Sequence, residues 1–196
     1  MHDGTAPLCP NHFDGQRYFN PDAQQARGWW DVLRWKLTTR PAPSPRFIDD
    51  VSLSRPPARV TDTLRVTIIN HSTVLLQQDG ANILTDPIWS ERASPFTRIG
   101  PRRHRSPGLR LDDLPPLDVV LLSHNHYDHL DLATLRRLVV HGSFIMPCGV
   151  APLLRSHNIG LLHELDWGDS VQNGATTIHC VPAVHFSPET SIAELR

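Results

Sequence analysis

The stretch Leu121–Asp131, LLSHNHYDHLD, sets three histidines and two aspartates within eight residues, directly behind an apolar run. That run, Leu117–Leu122, reads as a strand buried on both faces. Its carboxyl end delivers His124, His126, Asp128 and His129, and this is the edge where α/β sheets place their sites. His124, His126 and Asp128 are two apart, so an extended segment would point them to one side. His129 begins the turn into a helix that Asp131 can N-cap, with Leu132, Leu135, Leu138 and Val139 at helical spacing. Imidazoles beside a carboxylate suit zinc, and also iron or manganese. The same groups would be expensive to bury without a cation. A polar loop with histidines by accident does not explain their place between a buried strand and a capped helix. The spacing is not the HExxH of helical zinc proteases.

The rest of the chain suits this reading. Its 196 residues are enough for one domain with a core, or for part of a larger one. The net charge of −1 leaves no electrostatic footprint of a nucleic-acid binder. One basic cluster, Arg98 to Arg105, reads either as a solvated loop or as a contact for an anionic substrate. Twelve histidines raise the prior for metal or acid–base chemistry. Cys9, Cys148 and Cys180 are odd in number and form no CxxC pair, which suggests neither a disulfide framework nor a cysteine zinc site. A reducing cytoplasm fits, and neither a signal peptide nor an apolar run long enough to span a bilayer is visible.

Around the histidine loop, the pattern predicts strands at Leu64–Ile69, Thr73–Gln77 and Asn82–Thr85, with a hairpin turn at Asp79-Gly80. Residues 90–116 read as a long loop, of the kind that is usually functional or disordered. Further strands are expected at Ser143–Met146, Leu161–Leu165 and Thr176–Val181, with a short helix at Ala151–Ser156 and a turn spanning Gly168 to Gly174. Hairpins early and crossovers later imply an α/β (α+β) layered domain with a mixed sheet. Near the N-terminus, Ala23–Leu37 reads as a helix in which Trp29, Trp30 and Trp35 interleave with Arg27, Arg34 and Lys36. It either packs on the domain with its basic face in water or lies in a membrane interface.

SHNHYDHLD resembles the signature of the metallo-β-lactamase superfamily. Ile69–Pro95 (INHSTVLLQQDGANILTDPIWSERASP) and Asp118–Leu138 (DVVLLSHNHYDHLDLATLRRL) resemble its N-acylphosphatidylethanolamine-hydrolysing phospholipase D branch and bacterial relatives. The likeness runs from about Phe13 to Ser187. It implies an αββα sandwich of two mixed sheets with a dinuclear zinc site between their edges. It assigns His124, His126 and, from VPAVHFS, His185 to one zinc, and Asp128 and His129 to the other. Asp128 would also help orient the nucleophile, the catalytic role implied for it. Asp86, in LTDP, matches a position that orients a metal ligand from behind, and His71 matches a position near the site.

The chain departs from that pattern at two places. Asn70 stands where glycine is usual before His71, so a strained turn is expected. After Ser187, PETSIAELR diverges, and the pattern's second sheet, its bridging aspartate and its late histidine have no counterpart. The expectation is therefore the first sheet-and-helices half of the sandwich (61–187), an N-terminal helical extension (1–60) and a divergent tail (188–196). One zinc of the two is expected to be held, with one apolar face exposed and a chain that is weakly stable alone or needs a partner. The implied function is zinc-dependent phosphodiester hydrolysis of phospholipase D type on N-acylphosphatidylethanolamine-like lipids. The expected setting is cytoplasmic, with peripheral contact at the inner face of a membrane. The alternatives are a same-fold hydrolase of another ester or lactone, and a non-catalytic, metal-binding remnant.

Overall fold

A computed structural model describes residues 29–40, 47–48, 54–96 and 98–183. The chain divides into two units, Met1–Arg46 with Ala183–Phe186, and Phe47–Pro182 with Ser187–Arg196. In the first unit the described element is helix α1 (Trp29–Thr38), and the predicted residues 23–28 of that helix lie outside the described ones. Trp29 and Trp30 stack at 4.4 Å and, like Trp35 and Leu37, are exposed. Among the described residues no helix is long and apolar enough to cross a membrane.

The second unit is built on a six-stranded mixed sheet in simple sequence order, β1 (Arg65–Asn70), β2 (Thr73–Gln78), β3 (Ala81–Thr85), β4 (Leu117–Leu121), β5 (Val140–Pro147) and β6 (Leu161–Leu165). The first two pairings are antiparallel and the next three parallel. The β2–β3 hairpin turns on Asp79 (φ 50°) and Gly80 (φ 75°), the left-handed pair that matches strand twist. Short helices α2 (Leu132–Leu135) and α3 (Ala151–Arg155) fill the crossovers β4–β5 and β5–β6. A small hairpin of β7 (Ser170–Asn173) and β8 (Thr176–His179) follows.

Strand alternation sends Leu75, Leu84, Val120, Phe144 and Met146 to one sheet face, where they pack with Leu135, Ala151 and Leu154 of the helices. The other face carries Ile83, Val119 and Ile145, which pack against Val171 and Ile178 of the β7–β8 hairpin. On that second face Val66, Ile68 and Leu161 are exposed, at 53%, 69% and 61%. The expected apolar exposure is thus found on one face of the sheet.

Three expectations need correction. α2 ends at Leu135, and Val139 is 73% exposed, because Val140 already starts β5. The supposed turn from Gly168 to Gly174 contains β7. Finally, Asn70 does not take the left-handed conformation; the strained residue is His71 (φ 26°), and Asn70 Nδ2 donates to Ile88 O at 2.9 Å, a bond glycine could not make.

Candidate metal centre

Three segments meet at the carboxyl edge of β3 and β4. The β1–β2 turn brings His71, the exit of β3 brings Asp86, and the exit of β4 brings residues 123–131. Pairing fixes their relative depth. Val74 lies opposite Thr85, and Thr85 lies beside Leu121. Asp86 N–H donates to Leu121 O at 2.9 Å, which ties the end of β3 to the end of β4.

Asp86 is 5% exposed and sits at φ 36°. Left-handed backbone costs roughly 1–3 kcal/mol in a non-glycine residue and persists where the surroundings over-determine it. Here they do. The Asp86 carbonyl accepts from Thr73 Oγ1 at 2.6 Å. Its carboxylate accepts from Ser123 N–H at 2.7 Å, from Ser123 Oγ at 2.7 Å and from His129 Nδ1 at 2.8 Å. A carboxylate in contact with Nδ1 assigns the hydrogen to that nitrogen and leaves Nε2 as the free lone pair.

The imidazoles form a row. Ring centroids are 4.6 Å apart for His126 and His124, 4.1 Å for His124 and His129, and 5.2 Å for His129 and His71. Ser123 Oγ bridges the row from behind, 2.9 Å from His124 Nδ1 and 3.3 Å from His129 Nδ1. His124 Nε2 approaches His126 Nδ1 to 2.8 Å. The expectation that His124, His126 and Asp128 share one extended side does not hold. His129 and Leu130 both donate to His126 O, at 2.9 and 2.8 Å, so residues 127–129 form a turn. Asp128 is thereby carried to the other end of the row, with Oδ2 3.4 Å from His71 Nε2 and 3.9 Å from His129 Nε2.

These donors fit a divalent cation. One ligand atom from each of His71, Asp128 and His129 lies within 4.8 Å of the others. His124 and His126 aim ring nitrogens at each other across 2.8 Å. Two nitrogens on one tetrahedral zinc stand roughly 3.4 Å apart, so a small parting of the rings would admit an ion. Imidazole with carboxylate is a donor set shared by zinc, iron and manganese. His185, the remaining ligand implied by resemblance, lies outside the described residues.

Two roles carry no clear sequence signal. Ser123 is an ordinary residue before the first histidine, yet its hydroxyl touches Asp86, His124 and His129. Asp131 was legible as a helix cap, but it also bonds residues 89 and 90. In the basic cluster, Arg102 faces Glu91 at 3.3 Å. Arg103 turns inward onto Ser90 O and Ile88 O. Burial lowers the pKa of its guanidinium, while Asp131 and Glu91 pull it back up. Cys148 and Cys180 are both unbridged thiols.

Residues 81–195 match the Beta-lactamase superfamily domain, more than half of the chain, and the protein belongs to that family. Its fold is that of a mixed α/β member, with the histidine loop at the sheet edge. Among curated relatives, an uncharacterized Mycobacterium tuberculosis protein is 38% identical over 191 residues, covering 91% of this chain and 50% of that protein. N-acyl-phosphatidylethanolamine-hydrolyzing phospholipase D 1 of Caenorhabditis elegans is 40% identical over 134 residues, 62% of this chain and 38% of that one. The solved isothiocyanate hydrolase from Delia radicum gut bacteria overlaps 56% of this chain and 43% of its own at 26% identity, with a TM-score of 0.46. The chain spans about half the length, or less, of these curated relatives.

Proposed function

We propose that this chain carries the metal-binding loop of a zinc-dependent phosphodiesterase of phospholipase D type, acting on N-acylphosphatidylethanolamine-like lipids. The observation that carries the metal reading is the Asp86–His129 contact at 2.8 Å. A buried carboxylate behind an imidazole fixes its tautomer and aims its other nitrogen outward, as behind metal-ligating histidines. The substrate class is supported by the 40% identity to the nematode phospholipase. When bound, a divalent cation supplies Lewis acidity and lowers the pKa of a water. His124, His126 and His185 are the proposed holders of one ion, and Asp128 and His129 of a second. Ser123 and Asp86 hold the rings in place, and Asp128 is poised to orient a nucleophile. α1 adds a surface for lipid: three exposed tryptophans lie among Arg34 and Lys36, an arrangement suited to an anionic interface.

The test is zinc content and hydrolysis of bis(p-nitrophenyl) phosphate by the purified chain, followed by N-acylphosphatidylethanolamine vesicles against a lactone. The expected result is bound zinc, with turnover of diester but not lactone that is lost in His126→Ala. Zinc binding without any turnover would leave a metal-binding protein and sink the hydrolase reading for this chain. Turnover of the lactone alone would move it to another ester class.

A further inference from the structure

Asp131 closes the histidine loop and is buried, 8% exposed as a residue. One oxygen, Oδ1, accepts from Ala133 N–H at 3.1 Å and Thr134 N–H at 3.3 Å, the helix cap. A cap needs no more than that. Yet Oδ1 also accepts from Ser90 Oγ at 2.8 Å. Oδ2 accepts from Ser90 N–H at 2.9 Å, Trp89 N–H at 3.2 Å and Thr134 Oγ1 at 2.5 Å. Trp89 N–H is shared with Thr134 Oγ1 at 2.9 Å. The far side of the same segment is held by Arg103, whose Nε donates to Ser90 O at 2.9 Å. Residues 88–90 therefore lie between a carboxylate on their amide side and a guanidinium on their carbonyl side.

That segment begins two residues after Asp86, which grips the other end of the histidine loop at Ser123. We infer that Asp131 is a positioning residue of the metal centre. Together with Asp86 it clasps both ends of loop 123–131 to segment 86–90, so the donors on the loop are set by a closed frame rather than a tether. Asp131 acts through the backbone it immobilises, that of residues 89, 90, 133 and 134. Groups of this kind typically set metal affinity within a factor of 10–100. The inference rests on the loop's binding a metal.

Asp131→Ser separates the clasp from the cap. Serine is as good an N-cap as aspartate. Its single oxygen, one bond closer to the backbone, leaves Ser90 N–H without its acceptor and Trp89 N–H with Thr134 Oγ1 alone. Two measurements on the purified chain decide: amide hydrogen exchange without metal, and zinc affinity by competition with a chromophoric chelator. The expected result is faster exchange confined to residues 88–90 and 123–130, with β3 and β4 unchanged, and a zinc Kd raised about ten-fold. Wild-type exchange and zinc affinity in the variant would overturn the inference while leaving the metal reading intact. Faster exchange through the whole sheet would overturn it too, by showing a general structural role. A wild-type chain that takes up no zinc overturns the metal reading and this inference together. Should Asp131→Ser not fold, Ser90→Ala removes the hydroxyl bond without touching the cap. It is expected to shift both readouts in the same direction by less, and no shift in either counts against the clasp.

Discussion

At the amino-terminal ends of β3 and β4, Asn82 and Asp118 build one polar network; at the carboxyl ends of the same strands, Asp86 and Ser123 build another. In the first, Asn82 is fully buried. Its amide donates to Ala58 O at 2.8 Å and Pro116 O at 2.7 Å and accepts from Gln77 Nε2 at 2.9 Å. Asp118 accepts from Asn82 N–H at 2.7 Å and from Arg59. The partners are backbone or matched side chains, so the network ties residues 57–59 to the sheet and stops there. In the second, the buried carboxylate of Asp86, 7% exposed at its side chain, holds His129 at 19%. The row then opens outward to Asp128 and His71 at 48% and 56%. A network that only folds the chain turns its groups on one another and on backbone, even where one buried acceptor, Gln77 Oε1, is left over. One that serves a ligand uses the same burial to aim groups at the surface. The two ends should therefore fail differently.

The largest effect is expected at the structural end. β5 bulges where two of its residues, His141 and Gly142, oppose Asp118 alone. A Cβ on Gly142 would lie 1.9 Å from Asp118 O, a backbone atom that cannot swing aside. Gly142→Ala is expected to cost about 3 kcal/mol or more, or to prevent folding, seen in chemical denaturation. Near-native stability would mean that β5 has room for a side chain at the bulge. Next is Asn82→Ala, which takes the Asn82 donor from two carbonyls and leaves the Gln77 amide with Pro57 O alone. A loss of about 2–3 kcal/mol is expected, with zinc affinity of the folded chain unchanged. A fall in zinc affinity would erase the distinction between the two ends.

At the site end, Asp86→Asn is the informative change. Asparagine tolerates the positive φ as aspartate does, so backbone strain is held constant. Three donors then meet one acceptor oxygen and one amide group. Zinc affinity is expected to fall 10–100-fold, with about 1 kcal/mol of stability lost. If stability falls by several kcal/mol and zinc binding does not change, the Asp86 network belongs with the structural one.

What was legible in the chain, and what was not, follows the range of each contact. Asp79-Gly80, the β-rich runs and the leucines behind the histidine loop are local signals, and they placed β1 to β4 within a residue or so of where they lie. β7 escaped because Ser170–Asn173 has one apolar residue and sits between glycines that read as a single turn. α2 was drawn too long because leucine spacing continued through Leu138, while the Val139–Val140 pair already favours strand. The site residues were nameable one at a time, since His and Asp advertise their chemistry. Their arrangement was not, because it depends on a turn at 127–129 and on contacts from Asp131 to residues 89 and 90, about forty positions back. No window of local sequence holds that information.

The smallest expected effect sharpens the comparison by supplying a carboxylate that belongs to neither end. Asp113 meets Arg110 Nε at 2.7 Å, three residues back on the chain, with the arginine 82% exposed. The hydrogen bond from Arg110 holds the Asp113 pKa below the usual carboxylate range, and Asp113 in turn raises that of Arg110. A depressed folded pKa contributes stability above the unfolded value, and this is lost as pH falls through the folded one. Arg110→Ala should therefore lift the Asp113 pKa toward its ordinary value, read by carboxyl NMR. Any difference in stability from wild type should be confined to pH above the lowered pKa and vanish below it. At neutral pH the melting temperature is expected to stay within error, because water and salt screen an exposed pair. The same chemical group thus does three different things according to its partners: at Asp118 it closes the sheet, at Asp86 it aims an imidazole, and at Asp113 it pairs with an exposed arginine three residues back. A drop in melting temperature for Arg110→Ala as large as that for Asn82→Ala would show that the exposure of Arg110 does not make its pair weak.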